Sequence, residues 1–191
     1  MRNIVQADSF VRSGAWEKGR FEPGESLVGK TIGIAGLSGR IGQAIARRAI
    51  AAQMTIAGLK RPSNEGLCTN LHTGFLELCD ASDIVVLAVP GGGILRHIIG
   101  APELKALGPR GYFVNVGRGD LVDTKALIAA IESRTIAGAA LDVVEGEPKI
   151  SKSLVALNNL VLTPHIGGAT YGARERGAKI AETEILTFLG K

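Results

Sequence analysis

Residues 32–42 read IGIAGLSGRIG, with Gly36, Gly39 and Gly42 set between an apolar β-branched run and the first turns of a helical pattern. The dinucleotide fingerprint G-x-G-x-x-G belongs at such a junction. Its glycines let the backbone approach a pyrophosphate, whose charge the free amides and dipole of the following helix stabilise. Here the glycines are spaced three and three. The stretch is therefore a phosphate loop with one residue too many, a different glycine-rich loop, or only a structural turn. The rest of the chain decides among the three.

From residue 30 onward, short apolar runs alternate with helical patterns. The runs are TIGIAG (31–36), MTIAGL (54–59), DIVVLAV (83–89), YFVNV (112–116), TIAGAAL (135–141) and NLVLT (159–163). They are continuously apolar, as strands covered on both faces of a parallel sheet should be. Between them, RIGQAIARRAIAA (40–52) places Ile41, Ile45, Ala46 and Ala49 on one helical face, and DTKALIAAIES (123–133) opens on Asp123 as an N-cap. This order predicts an α/β fold with a doubly wound parallel sheet of Rossmann type. The glycine loop then lies at the carboxyl end of the first strand, where such sheets bind ligands.

The ends of the chain differ from its middle. Residues 1–27 read as a connecting helix (3–16) and a linker containing GRFEPGES, 28–168 as the dinucleotide-binding domain, and 169–191 as a C-terminal amphipathic helix centred on 173–189. Both terminal helices carry apolar faces that need a packing partner.

Composition narrows the function. With 191 residues, 46% apolar and 21% charged, the chain is long enough for one well-cored globular domain. The net charge of +4 is spread without a basic run or interleaved aromatics, which argues against nucleic-acid binding. The longest apolar stretch, IVVLAVPGGGIL (84–95), is broken by Pro90 and three glycines. It falls short of the about 18 residues a membrane helix needs. The N-terminus lacks a signal core, and Cys68 and Cys79 lack metal-ligand spacing, so a cytoplasmic protein with free thiols and no metal is expected.

The acidic residue that normally holds a ribose 2′-hydroxyl about 20 residues after the loop is missing. No Asp or Glu occurs between Gly42 and Glu65. Lys60 and Arg61 stand there instead, 18 and 19 residues after Gly42. Two cations attract a 2′-phosphate, so NADP is favoured over NAD, although a Lys-Arg pair before Pro62 also reads as a plain solvated turn.

Three further stretches fall at strand ends on the same rim: FVNVGRGDLVD, GAALDVVEGEP and LTPHIGGAT. They offer Arg118, Asp142, Glu147 and His165. A histidine with a carboxylate partner suits proton transfer near neutral pH, and an arginine can clamp a carboxylate. Taken singly, each is equally an ordinary loop residue; their convergence on a cofactor rim is the signal.

These stretches, with ADSFVRSGAW (7–16) and VGKTIGIAGLSGRIGQAIARR (28–48), resemble the cofactor-binding domain of the D-isomer-specific 2-hydroxyacid dehydrogenases. Relatives there include glyoxylate/hydroxypyruvate reductases and phosphoglycerate dehydrogenase. The ADSFVRSGAW stretch and the basic end of the second strand are most similar to the NADPH-linked glyoxylate/hydroxypyruvate reductases. The resemblance implies that Arg118 holds the substrate carboxylate and carbonyl. It makes His165 the general acid and Glu147 the partner that keeps His165 protonated. Asp142 would contact the nicotinamide carboxamide, and the backbone of Arg40 and Ile41 the pyrophosphate. Pro90 and Val116 would line the cleft, with Gly36, Gly39, Gly42 and Gly168 completing the cofactor contacts. A small 2-keto or 2-hydroxy acid substrate and a homodimer, formed in part through the ADSFVRSGAW helix, are also implied.

Two departures stand out. The family loop is usually GLGRIG, so Ser38 is an insertion, either bulged out with its hydroxyl near a phosphate or a defect. The segment that in relatives precedes ADSFVRSGAW and forms most of a substrate domain is absent from this sequence. The cofactor site and triad are expected without the closed cleft, and a non-catalytic nucleotide-binding module is the alternative reading. G-x-x-G-x-x-G is also the spacing of extended short-chain dehydrogenases, which use Tyr-x-x-x-Lys. Tyr112 and Tyr171 are followed four residues later by Val116 and Glu175, so that class is excluded.

Overall fold

The computed structural model describes residues 1–190. Among these, seven parallel strands form one sheet: β1 (Thr31–Ala35), β2 (Thr55–Leu59), β3 (Asn70–His72), β4 (Ile84–Leu87), β5 (Tyr112–Asn115), β6 (Gly138–Leu141) and β7 (Leu160–Leu162). Their order is β3-β2-β1-β4-β5-β6-β7, so the winding direction reverses between β1 and β4. That reversal opens the crevice in which sheets of this kind bind ligands. All six apolar runs form strands with their ends trimmed. Strand β3, sequence NLH, is the addition: three residues, two of them polar, carry no readable apolar run.

The helices are α1 (Ile4–Arg12), α2 (Arg40–Ala51), α3 (Phe75–Asp80), α4 (Ala101–Leu107), α5 (Thr124–Glu132), α6 (Lys152–Val155) and α7 (Tyr171–Phe188). Side chains alternate across the sheet. Val85, Leu87, Phe113 and Leu141 meet Leu78, Leu104, Leu127 and Leu154 of α3 to α6 in one buried cluster. Ile32, Ile34, Ile56 and Val86 face the other way and meet α2. Asp123 caps α5 as expected, its carboxylate accepting the Lys125 and Ala126 amides. Helix α2 corrects one expectation. Its buried face is Gly42, Ile45, Ala46 and Ala49, whereas Ile41 is 53% exposed and looks out beside the glycine loop.

On the α2 side, among the described residues, only the start of α1 reaches the sheet beyond β4. A groove of about 570 Å³ remains there, lined by Ile84, Tyr112, Val114 and Val161 and touched by Met1 and Ile4. The terminal helices bury no residue. Ile4, Val5 and Trp16 are exposed at one end, and Tyr171 (94%) and Phe188 (89%) at the other.

Candidate active site

The glycine loop leaves β1 at the switch point. Gly36 has φ +92°, a conformation side chains resist, and a Cβ there would lie 2.6 Å from the carbonyl oxygen of Ala88 beyond β4. The loop turns directly into α2, whose N-cap Gly39 provides no side-chain cap and whose first turn has no acidic residue. Nothing in those residues competes for the helix N-terminal amides or opposes its dipole, so an anion fits there.

Ser38 is tied sideways. Its N–H donates to Asn64 Oδ1 at 3.1 Å, and its hydroxyl donates to Ser63 Oγ at 3.1 Å. Asn64 is only 3% exposed and donates its amide to the Leu59 carbonyl at 2.8 Å. It bridges the loop after β1 to the end of β2. The sequence reading missed Asn64 because one asparagine in a polar turn carries no pattern. Lys60 and Arg61 emerge exposed at that same end of β2, and among the described residues neither forms an ion pair. Pro90 is exposed after β4. Val116 follows β5, its N–H donating to the Leu87 carbonyl at 3.0 Å, so both stand at the adjoining strand ends.

On the far side of the crevice, Asp142 follows β6 and organises the PHIGG turn. Its carboxylate accepts the Thr163 hydroxyl at 2.5 Å and the amides of Ile166 and Gly167 at 3.0 and 2.9 Å. Its carbonyl accepts the His165 N–H at 2.8 Å. Held this way, His165 adopts a left-handed φ of +53°, an uncommon state for a residue other than glycine. Its Nδ1 lies 2.6 Å from Glu147 Oε1, while Glu147 Oε2 accepts the Val144 amide at 2.9 Å. With Nδ1–H directed at the carboxylate, Nε2 is the ring atom left for a substrate.

Arg118 follows β5 on a turn pinned from below. Asn115, 1% exposed, accepts the Gly117 N–H and donates to the Arg118 carbonyl. Arg118 Nη1 donates to the Gly117 carbonyl at 2.7 Å. Arg118 and Glu147 line one hollow of about 370 Å³, and His165 and Glu147 line another of about 510 Å³ together with Pro148, Ile150 and Leu162. Glu147 is therefore the wall shared by both, and no hydrogen bond joins Arg118 to His165 among the described residues. A further hollow of about 650 Å³ lies at the opposite, amino ends of the strands beside Pro109, Ala137 and Asn159, remote from all these groups.

The carboxylates are tuned towards ionisation. The Val144 amide, then the His165 ring, holds the Glu147 carboxyl below its ordinary value. Burial pushes Asp142 up, but the Thr163 hydroxyl and the Ile166 and Gly167 amides outweigh it and bring it below its ordinary value. A depressed folded-state pKa stabilises the turn at pH above the unfolded values, 4.5 and 3.8, and that support is lost as pH falls through the folded ones. The Asp142 and Glu147 side-chain carboxyls should therefore stay ionised from neutrality down to about pH 4.5 and take up protons only in stronger acid, as followed by carbon-13 NMR. Protonation of either carboxyl above that range would contradict this account.

Among the described residues no helix is long and apolar enough to cross a membrane, and no group of three His, Cys, Asp or Glu residues could hold a metal ion.

Comparison with known proteins agrees with the geometry. The model of the D-isomer specific 2-hydroxyacid dehydrogenase NAD binding domain matches residues 1–167. A glyoxylate reductase from Thermococcus gammatolerans is 45% identical over 98% of this chain and 58% of its own length. The NADPH-dependent glyoxylate/hydroxypyruvate reductase from Sinorhizobium meliloti, solved with NADP and malonate, is 41% identical with a TM-score of 0.85, over 91% of this chain and 55% of that one. A 2-hydroxyacid dehydrogenase from Ketogulonicigenium vulgare gives a TM-score of 0.90 at 31% identity, over 100% of this chain and 60% of that one. The chain thus spans little more than half the length of these relatives. The chain belongs to the D-isomer specific 2-hydroxyacid dehydrogenase family, and its residues 1–167 correspond to that family's NAD binding domain.

Proposed function

We propose that the chain is the cofactor-binding part of a reductase that transfers hydride from NADPH to the carbonyl carbon of a small 2-keto acid of the glyoxylate or hydroxypyruvate kind. The observation that carries the reading is the His165–Glu147 pair at 2.6 Å, with Arg118 across the same glutamate. The tight turn at Gly36 and the uncapped start of α2 fit a dinucleotide. Arg40 and Ile41 present backbone to the pyrophosphate, Gly39 keeps its approach open, Gly42 seats α2 close against the loop, Gly168 borders the cofactor from the PHIGG turn, and Pro90 and Val116 flank the nicotinamide. Lys60 and Arg61 take the 2′-phosphate, which favours NADPH over NADH. Asp142 already accepts three donors; Oδ2, which takes only the Gly167 amide, is the atom left for the carboxamide.

When bound, the cofactor supplies the hydride. The residues supply position and the proton. Arg118 holds the substrate carboxylate, His165 protonates the developing alkoxide from Nε2, and the Glu147 carboxylate favours the charged ring that makes this possible. The exposed apolar residues of α1 suit a homodimer, and those of α7 suit a substrate domain. We place the protein in the cytoplasm.

Calorimetric titration should show tighter binding of NADPH than of NADH; the reverse order removes Lys60 and Arg61 as phosphate ligands. NADPH oxidation with glyoxylate or hydroxypyruvate then separates the enzyme from a non-catalytic binding module. Turnover by this chain alone should be far below that of a full-length relative, because the water-excluding cleft needs a second domain.

A further inference from the structure

The residues His97 and His165 share an unusual backbone. Among the described residues, five other than glycine have left-handed φ: Asn3, Gln53, His97, Arg134 and His165. Asn3 is the N-cap of α1, Gln53 and Arg134 follow the C-caps of α2 and α5, and His97 follows the C-cap of the 3₁₀ turn Gly93–Leu95. Of the five, only His165 stands away from a helix end. Each histidine pairs with a glutamate of the same short loop after β6. His165 meets Glu147, and His97 Nε2 lies 3.0 Å from Glu145 Oε1.

Glu145 is a knot between three segments. Arg96 Nη2 donates to its Oε1 at 2.6 Å, and the hydroxyl of Thr124, the first residue of α5, lies 3.4 Å from its Oε2. Burial pushes the Glu145 carboxyl up, but His97, Arg96 and Thr124 outweigh this and keep it ionised. His97 is itself fastened to the Arg118 turn, its N–H donating to the Asp120 carbonyl at 2.8 Å. The loop backbone rests on that turn too: a Cβ on Gly119 would overlap the Val144 carbonyl group and the Glu145 nitrogen. An exposed Arg-Glu pair alone would contribute little. Two donors from one short segment on one half-buried carboxylate, beside a backbone-to-backbone contact, form a clamp.

We propose that Glu145, gripped by His97 and Arg96, is a positioning residue that seats the Val144–Glu147 loop on the Arg118 turn, so that Glu147 stays on His165 while Arg118 keeps its place opposite. The proposal rests on the hydride-transfer reading for its purpose, but its geometry is measurable without turnover.

The readout is the titration of the Glu147 side-chain carboxyl, followed by carbon-13 NMR in this chain. The titratable groups facing Glu147 are His165 and Asp142. In Glu145→Ala the Glu147 midpoint should rise towards the ordinary 4.5, because the loop loosens and the Val144 amide and His165 donors are lost. Removing a nearby negative charge without moving the loop would shift the midpoint down instead, so the sign separates clamp from field. His97→Ala should raise it less, since Arg96 remains, and His97→Gln, which can still donate to Glu145, should restore the original midpoint. An unchanged or lowered midpoint in Glu145→Ala overturns the proposal, as does His97→Gln behaving like His97→Ala. If Glu145→Ala fails to fold, the two His97 variants decide. A shifted midpoint alongside no NADPH oxidation in a complete enzyme would retain the clamp and remove the functional reading.

Discussion

Replacing His165 should lower kcat for NADPH-dependent reduction by about 100- to 10,000-fold, the usual contribution of a positioned general acid, while leaving the Kd for NADPH unchanged. In the proposed reaction the proton comes from Nε2, because Nδ1 is engaged 2.6 Å from Glu147. The residues proposed to hold the dinucleotide phosphates lie on the other side of the crevice, in the loop before α2 and at the end of β2, and do not touch the ring. His165→Asn is the more informative substitution. Asparagine tolerates the left-handed backbone at φ +53° better than alanine, so the turn survives and only the proton is lost. Glu147→Gln should act less severely and through the pH profile. The ring keeps a hydrogen-bond partner but loses the charge that favours its protonated form. Retention of full activity in His165→Asn would remove His165 as the acid.

The residues that were legible in the sequence are those whose chemistry forces a local pattern. Gly36 and Gly42 announce a tight strand-to-helix passage, six apolar runs announce a covered parallel sheet, and three strand-end stretches bring Arg118, Glu147 and His165 to one rim. What was not legible depends on contacts between distant segments. Asn64 and Asn115 are single polar residues in turns, and their roles exist only because the fold carries Ser38 and the Arg118 carbonyl to them. Glu145 carries no readable pattern either; its partners exist only because the β4–α4 connection brings His97 and Arg96 to it. Ile41 satisfied the helical spacing of a core residue, yet the close approach of α2 to the loop at Gly42 rotates it outward. Periodicity identifies an apolar stripe; the tightest contact sets which edge of the stripe is buried.

Gly42→Ala should then be the most damaging change in the phosphate loop, and Gly39→Ala a mild one for folding. A Cβ on Gly42 would overlap the carbonyl group of Gly36 and press on Leu37 Cα at 2.8 Å. Those are backbone atoms that no rotamer change can move. Either α2 withdraws from β1 or the loop opens, and overpacking of this kind costs about 1–3 kcal/mol. Because the same shift displaces the α2 amides, NADPH affinity should fall with stability. Gly39 has φ −72° and ψ 162°, ordinary extended values, and its added Cβ would meet only the Gly36 oxygen at 3.2 Å. A few tenths of an ångström of adjustment accommodate it, so the melting temperature of Gly39→Ala should stay close to that of the parent. Its methyl group would nevertheless sit at the helix N-terminus where the pyrophosphate must approach the backbone, and NADPH should bind more weakly. Thermal melts and NADPH titration of the two variants therefore separate two uses of glycine within one loop: Gly42 for packing a helix onto a strand, Gly39 for admitting a phosphate. Equal losses of stability in both variants would show that the loop tolerates no methyl group anywhere, and Ser38 would then have to sit in a loop conformation other than the one anchored on Asn64.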